Sequence, residues 1–246
     1  MGQRASVDGH HEAGIAHLLG GEVRGADLEA LIAASRLVRA GPRRTLLRAE
    51  DDRALLLLRG SAKASILTPD GDEVITEILG PGHAANLLTV LGHAETGKDI
   101  TSLEPVEALS ITGRDLCHLV RTRPSITTAC LWTVAQQHAS ANADRARFAG
   151  TCIAERVAQR VLELATRWGE PDGEGVIIDL PLTQEELAAW SGASRESVAK
   201  VLQSLRASGV IATGRRSMRV LDLAGLQARC ERSSGREARE LLAALA

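Results

Sequence analysis

The stretch from residue 182 to residue 205 has the residue types and spacing that could do chemistry, and the pattern predicts two helices joined by a tight turn. Thr183 followed by Glu186 forms a capping box, so the first helix should begin there. Gly192 indicates the turn, and Ser194 is a typical N-cap for the second helix. This stretch therefore predicts a helix-turn-helix.

The second helix has two chemically different faces. At about 100° per residue, one face carries apolar side chains that must be buried, namely Val198, Val201, Leu202 and Leu205. The other face carries mainly long polar side chains: Arg195, Glu196, Ala199, Lys200 and Gln203. Such a face can form hydrogen bonds with base edges in the major groove of DNA. The alternative is an amphipathic helical hairpin whose polar face is only solvated.

The residues that follow favour DNA binding. Ser208 and Gly209 should end the helix, and residues 210–221 alternate in polarity like a β-hairpin with a basic tip at Gly214-Arg215-Arg216. A helix-turn-helix followed by such a hairpin is a winged helix, in which the helix contacts bases and the wing contacts phosphates. Between Arg195 and Arg219 there are six basic residues and one acidic residue, a local charge of +5.

Composition excludes several other classes of protein. The net charge is only −2, so positive charge is local rather than general. Three Trp, one Phe and no Tyr offer few stacking platforms for single-stranded nucleic acid. No apolar run has the length of a membrane span and the N-terminus has no signal-peptide core, so we expect a cytoplasmic protein without a membrane partner. Three of the 29 basic residues are lysine, which is typical of a GC-rich bacterial genome.

The spacing of the cysteines indicates no metal site, and the sequence contains no common catalytic motif. Cys117, Cys130, Cys152 and Cys230 are far apart and have no metal-ligand spacing, so reduced thiols and no metal site are expected. The sequence has no phosphate-binding loop, no GxSxG and no HExxH, and we therefore predict that the protein is not an enzyme.

The patterns predict an α+β protein in five segments. Residues 1–25 form a polar tail that should be mobile. Residues 26–122 form the β-roll domain, in which a helix from Asp27 to about Ala40 is followed by a small antiparallel roll. Residues 123–152 form a long central helix, residues 153–222 the winged helix-turn-helix, and residues 223–246 a helical extension. That extension could pack on the winged helix or on a second copy of the chain.

The central helix carries a seam of side chains three or four residues apart: Ile126, Cys130, Val134, His138, Ala141, Arg145 and Phe148. A seam of this kind is typical of a parallel helix pair across a homodimer. The alternative is a helix that packs only on its own β-roll.

The order of helix, β-roll, long helix and winged helix, with ASRESVAKVLQSL followed by GVIATGRRSMRV, resembles the CRP/FNR family of bacterial transcription regulators. The resemblance is most specific over residues 124–221 and weaker over residues 26–123. It implies a cyclic-nucleotide-binding-like roll and a homodimer on two-fold symmetric double-stranded DNA. RNA polymerase is a further candidate partner.

The resemblance also assigns residues at the DNA. It implies that Arg195 contacts a guanine, that Glu196 contacts the amine of a cytosine, and that Lys200 contacts a guanine or a phosphate. These contacts agree with the hydrogen-bonding chemistry of the side chains. Contacts to the DNA backbone are expected from Thr183, Gln184, Ser194, Ser197, Arg215 and Arg216.

The sensor departs from the pattern of the cAMP-binding members, which hold the cyclic phosphate with a Gly-Glu pair and an Arg-Ser pair. Here the corresponding positions are Asn86-Leu87 and Thr96-Gly97-Lys98. Leu87 cannot accept a hydrogen bond from a ribose hydroxyl. Positive charge for the cyclic phosphate could come only from Lys98 with His83 or His93. The candidate effector residues are His83, Asn86 and Lys98, together with Asn142, because the resemblance places the adenine-contacting pair of the cAMP-binding members on Ala141-Asn142. A remodelled pocket, weak binding of cAMP or another cyclic nucleotide, and no ligand all remain open.

Cys130 is a candidate redox residue because it lies near the seam of the central helix, although a small buried apolar role is the alternative. The main hypothesis is a sequence-specific transcription regulator with a degenerate or absent cAMP response. The competing hypotheses are an architectural DNA-binding protein whose β-roll only supports the dimer, and a thiol-responsive regulator.

Overall fold

The structure is a computed structural model that describes residues 23–92, 97–214 and 217–230, with only the backbone of Arg147. The chain divides into two compact units, residues 1–140 and residues 141–246. Residues 1–22 of the predicted N-terminal tail lie outside the described residues.

The first unit is an antiparallel β-roll, as predicted. Its described strands form two four-stranded sheets, ordered β1-β8-β3-β6 and β2-β7-β4-β5. The strands are β1 (Arg36–Ala40), β2 (Thr45–Leu47), β3 (Arg53–Arg59), β4 (Ala62–Leu67), β5 (Glu73–Leu79), β6 (Ala84–Ala85), β7 (Asp99–Ser102) and β8 (Val106–Thr112). The described helices that precede the central helix are α1 (Gly25–Ala34), α2 (Leu87–Gly92) and α3 (Gly113–Thr122).

Strand β3 separates two apolar cores. Because successive side chains of a strand point to opposite faces, Leu56 and Leu58 pack into a core that α1, α3 and the first turns of the central helix complete. Leu55 and Leu57 pack into the second core, between the two sheets. The run of four leucines is therefore buried on both faces, although antiparallel strands often expose one face to water.

The hairpin between β4 and β5 turns at Pro69-Asp70-Gly71-Asp72, residue types that favour a turn. β4 and β5 pair antiparallel from Ala62 opposite Leu79 to Leu67 opposite Glu73. Gly71 has a φ of 89°, a conformation that favours glycine.

The predicted helix from Asp27 to Ala40 is wrong at both ends. The helix begins at Gly25, with Arg24 as the N-cap, and ends at Ala34. The next strand, β1, pairs with β8 from Arg36 opposite Ser110 to Ala40 opposite Val106. The backbone hydrogen bonds to β8 are non-local, so the helical periodicity of the sequence could not reveal them.

The central helix α4 is a single helix of 26 residues, Pro124–Ala149, that begins in the first unit and ends in the second. Ile126 and Ala129 are buried in the core that α1 and α3 share, and Cys130 and Val134 pack against that core.

The second unit contains the helices α5 (Ile153–Trp168), α6 (Gln184–Ser191), α7 (Arg195–Ala207) and α8 (Leu223–Cys230). Its strands, β9 (Gly169–Pro171), β10 (Val176–Ile178), β11 (Ile211–Thr213) and β12 (Met218–Val220), form one antiparallel sheet ordered β11-β12-β10-β9. The short strand β9 pairs antiparallel with β10, from Gly169 opposite Ile178 to Pro171 opposite Val176.

The described part of the C-terminal extension packs within its own unit. Helix α8 contacts α5, and Leu226 is fully buried. Gln159 of α5 donates from Nε2 to the Cys230 carbonyl at 3.5 Å. Of the two open alternatives, the structure shows packing on the winged helix-turn-helix unit for residues 223–230.

Asp27 joins the first turn of α1 to the beginning of α4. Its carboxylate accepts hydrogen bonds from the Ser125 hydroxyl at 2.5 Å and from Arg123 Nη1 at 3.0 Å. These two partners hold the pKa of Asp27 below its usual value. A lowered pKa in the folded state adds stability above the usual aspartate pKa of about 4, and this stability is lost as the pH falls through the lowered pKa.

We predict that Asp27→Asn lowers the free energy of unfolding at neutral pH, and that the difference from the unsubstituted protein shrinks as the solution is acidified. Urea unfolding across that pH range measures it. Glu29→Gln is the matched control, because Glu29 lies exposed on the same helix. Equal unfolding free energies of the two variants at neutral pH would contradict the assignment.

Candidate DNA interface and effector cavity

The helix-turn-helix begins with the predicted capping box. The Thr183 hydroxyl accepts from the Glu186 backbone N–H at 3.1 Å, and the Glu186 carboxylate accepts from the Thr183 backbone N–H at 2.9 Å. Gly192 ends α6 in the left-handed conformation with a φ of 59°, which glycine adopts without strain. Local sequence therefore determines both ends of the first helix.

Helix α7 begins after Ser194, whose hydroxyl accepts from the Ser197 backbone N–H at 3.2 Å. Its inner face is buried, and Val198, Leu202 and Leu205 are at most 1% exposed. Val201, which was assigned to that face, is only half-buried.

The outer face of α7 presents the predicted base-reading residues together. Arg195, Glu196 and Lys200 are exposed within its first two turns, at the end where a helix enters the major groove. Ser194 and Ser197 lie beside them with their hydroxyls 2.9 Å apart. Gln184 is exposed in the first turn of α6, next to the capping residue Thr183.

The wing is an antiparallel hairpin of β11 and β12, as predicted. Its basic tip, Arg215 and Arg216, lies outside the described residues. Arg219, which contributed to the local charge of +5, forms ion pairs with Asp172 at 2.5 Å and Glu174 at 2.8 Å. Arg219 therefore holds the wing to the loop between β9 and β10, and its charge is neutralised there.

A cavity of about 130 Å³ lies in the first unit, and two of the four predicted effector residues, Asn86 and Lys98, line it. The polar residues that line it are Glu77, Asn86, Thr89, Lys98 and Gln137. Its apolar wall consists of Ala64, Leu79, Ala85, Leu87, Leu88 and Ile100. Among the described residues that line this cavity, Lys98 is the one with a basic side chain.

Asn86 lines the cavity, but its side chain also has a backbone-supporting role. Its Nδ2 donates to the backbone carbonyls of Asp51 at 3.0 Å and Arg53 at 2.9 Å. Asn86 also has a φ of 67°, which Asn tolerates better than most residues. The amide nitrogen thus fixes the chain before α2, and binding of an effector by Asn86 stays a prediction.

The other effector candidates are placed elsewhere. His83 is half-buried, its Nδ1 lies 3.1 Å from the Gly80 carbonyl oxygen, and it is not among the described residues lining the cavity. Asn142 is exposed on α4 in the second unit. His93 and Thr96 lie outside the described residues.

Gln137 is a cavity residue that the sequence analysis missed. Its Nε2 donates to the Ala84 carbonyl at 2.6 Å, which connects α4 to β6 at the edge of the cavity. A signal was present, because Gln137 falls on the same helical face as Cys130, Thr133 and Val134.

The predicted seam of α4 is wrong as a single face. Ile126, Cys130 and Val134 face the core of their own roll, whereas His138 is exposed. The reason is that a spacing of four residues advances by about 40° more than a full turn, so the row winds around the helix. The exposed apolar side chains are Leu131 and Trp132, which are 69% and 61% exposed.

Cys130 is a poor candidate for a thiol switch. It is packed against the apolar core, and burial raises its pKa to about 11. The thiolate is the reactive form of cysteine, so at neutral pH Cys130 remains a protonated apolar side chain. Cys152, by contrast, is exposed.

Among the described residues, no helix is long and apolar enough to span a membrane. The same ranges contain no group of three or more His, Cys, Asp or Glu side chains that could hold a metal ion.

Comparison with known proteins identifies the family. The Crp-like helix-turn-helix domain matches residues 155–229. The CRP-like cAMP-activated global transcriptional regulator of Mycobacterium tuberculosis is 30% identical over 171 residues, which is 70% of this chain and 76% of that protein. The chain belongs to the CRP/FNR family. It is a DNA-binding transcription regulator rather than an enzyme.

Other relatives agree with this assignment. The transcriptional regulator SdrP of Thermus thermophilus is 28% identical over 191 residues, or 75% of this chain and 88% of that protein. The solved structure of a CRP-family transcriptional regulator from the same species is 25% identical, with a TM-score of 0.68 over 80% of this chain and 97% of that chain. The global regulator CLP of Xanthomonas campestris shares the fold, with a TM-score of 0.70 at 20% identity over 79% of this chain and 97% of that chain.

We predict that iodoacetamide modifies Cys152 much faster than Cys130 in the folded protein at mildly alkaline pH, because Cys130 is buried and its pKa is raised. Peptide mapping by mass spectrometry measures the two rates. In urea, where both thiols are exposed, the rates should become similar. Equal rates in the folded protein would show that Cys130 is accessible and would restore the thiol-switch hypothesis.

Proposed function

We propose that the protein binds a two-fold symmetric operator as a homodimer and that its sensor does not respond to cAMP at ordinary affinity. Residues 26–122 would form the sensor, residues 123–152 the dimerisation helix and residues 153–222 the DNA-binding domain. The observation that carries the proposal is the exposed group of Arg195, Glu196 and Lys200 on the first turns of α7.

The side chains of this group have complementary roles at DNA. Arg195 can donate two parallel hydrogen bonds to O6 and N7 of a guanine, and Glu196 can accept from the N4 amine of a cytosine. Lys200 is a point charge without a fork, and it therefore discriminates less between a guanine and a phosphate. Thr183, Gln184, Ser194, Ser197, Arg215 and Arg216 are proposed to position the protein on the phosphates.

We predict that Arg195→Ala costs about 1–3 kcal/mol per half-site and relaxes the preference for one guanine. Arg216→Ala, at the proposed phosphate contact, should weaken binding to all sequences and reduce the salt dependence. Fluorescence anisotropy against duplexes with single base changes separates the two effects. If both variants weaken every duplex by the same factor, the division between base reading and phosphate contact is wrong.

The exposed face of α4 supports the homodimer. Leu131 and Trp132 are exposed. With a helical repeat of 3.6 residues, they share one face of α4 with Thr128, Ala135, His138 and Ala139. Two large apolar side chains flanked by small alanines suit close packing of a second helix. A second copy of α4 is the partner that a symmetric operator requires.

The cavity supports a weak or absent response to cAMP. Pockets for ligands of drug size usually occupy about 300–1,000 Å³, whereas this cavity measures about 130 Å³. Lys98 can offer one point charge but no fork for a phosphate. Related proteins respond to different nucleotides, since the Mycobacterium tuberculosis relative is cAMP-activated and the Xanthomonas campestris regulator is c-di-GMP responsive. RNA polymerase is a further proposed partner of the DNA-bound protein. The proposed location is the bacterial cytoplasm, where the DNA lies.

We predict that cAMP binds weakly or not at all and that operator binding occurs without it. Loss of a charged hydrogen bond costs about 1.5–3 kcal/mol, which corresponds to about ten- to a hundredfold in affinity. Isothermal titration calorimetry with cAMP tests this, with Lys98→Ala as the matched variant. Submicromolar binding that Lys98→Ala abolishes would instead show a rebuilt phosphate site.

A further inference from the structure

A cluster around Arg160 joins the last turns of α4 to the helix-turn-helix, entirely within the second unit. Arg160 lies on α5 and is 5% exposed. Its two Nη atoms donate to the two carboxylate oxygens of Asp144 at 3.3 and 3.2 Å. The Phe148 ring centroid lies 5.4 Å from the same guanidinium. A forked ion pair and a cation–π contact therefore attach α5 to α4.

The same guanidinium also contacts the end of α6. It lies 4.5 Å from the centroid of the Trp190 ring, and its Nε donates to the Trp190 carbonyl at 3.4 Å. One turn earlier on α5, Arg156 donates to the carbonyls of Ser191 at 3.0 Å and Gly192 at 2.9 Å. The last carbonyls of a helix lack donors within the helix and carry partial negative charge. The two arginines thus hold the turn from which α7 begins.

We infer that Asp144, acting through Arg160, is a positioning residue for DNA recognition. Hydrogen bonds to base edges require the side chains that make them to be held within about 0.5 Å of the productive geometry. Asp144 fixes Arg160, Arg160 fixes the carbonyl end of α6, and Ser194 caps α7 shortly after Gly192. The inference rests on the DNA-binding function and extends it to a residue that does not touch the DNA.

The sign of the charge change separates positioning from simple electrostatics. Asp144→Asn removes a negative charge, which by itself should strengthen binding to any DNA. Glu163→Gln is the matched control. Glu163 accepts from Arg160 Nη1 at 2.8 Å and from Arg167 Nη1 at 3.0 Å, and all three residues lie on α5. The control therefore makes the same charge change beside the same guanidinium but leaves the connection to α4 intact.

The experiment compares these variants on two DNA duplexes. One is enriched from a pool of random duplexes by the unsubstituted protein, and the other has the same composition in scrambled order. Asp144→Asn should bind the enriched duplex at least about fivefold more weakly than Glu163→Gln, and the scrambled duplex no more weakly. Asp144→Glu retains the carboxylate and should bind the enriched duplex more tightly than Asp144→Asn.

Equal binding of the enriched duplex by Asp144→Asn and Glu163→Gln would overturn the inference, as would an equal loss of binding on both duplexes. Melting temperatures are measured in parallel. If Asp144→Asn melts well below Glu163→Gln, Arg160→Lys takes its place, because it keeps the charge and loses the fork. Unchanged binding of the enriched duplex by Arg160→Lys would then overturn the inference. If the unsubstituted protein enriches no sequence, the proposed base reading fails together with this inference.

Discussion

The burial of Val198, Leu202 and Leu205 is the constraint on which the recognition surface depends. A helix of 3.6 residues per turn cannot bury these positions without turning the opposite side toward solvent. Arg195, Glu196 and Lys200 lie on that side. The apolar residues of α7 therefore determine which polar residues can reach DNA, and the caps at Thr183 and Ser194 determine where the two helices begin.

The β-roll follows a comparable constraint around one strand. Because both faces of β3 are buried, the strand connects the core beneath α1, α3 and α4 with the core between the sheets. Asn86 ties the chain after β6 to the residues that lead into β3 through two backbone carbonyls. Asn86 thus contributes to the architecture of the roll, while Lys98 and Gln137 line the cavity.

Local patterns predicted the helix-turn-helix and the wing hairpin, since caps, turns and alternation act over a few residues. They failed where distant segments decide the structure. β1 was predicted as helix because its pairing with β8 joins segments that are far apart in the sequence. Burial of Cys130 and Val134 against the roll likewise depends on α1 and α3, so their spacing alone indicated a dimer seam.

At the candidate DNA interface, too, local features were predictable and contacts between distant segments were not. The proposed base-reading group was evident in the sequence because it occupies one short helix face, and its three side chains are exposed. Arg156 and Arg160 were not singled out, because their partners are backbone carbonyls and a carboxylate on other helices. Arg219 was counted toward the positive surface, because its two acidic partners lie on a different hairpin.

The central claim is that two copies of α7 read base pairs in successive major grooves. Sequencing the duplexes that the protein enriches from a random pool tests this claim most directly. The account predicts an inverted repeat whose half-sites contain a guanine and lie about one helical turn, or roughly 34 Å, apart. Enrichment of a single unrepeated motif, or of no motif, would contradict it.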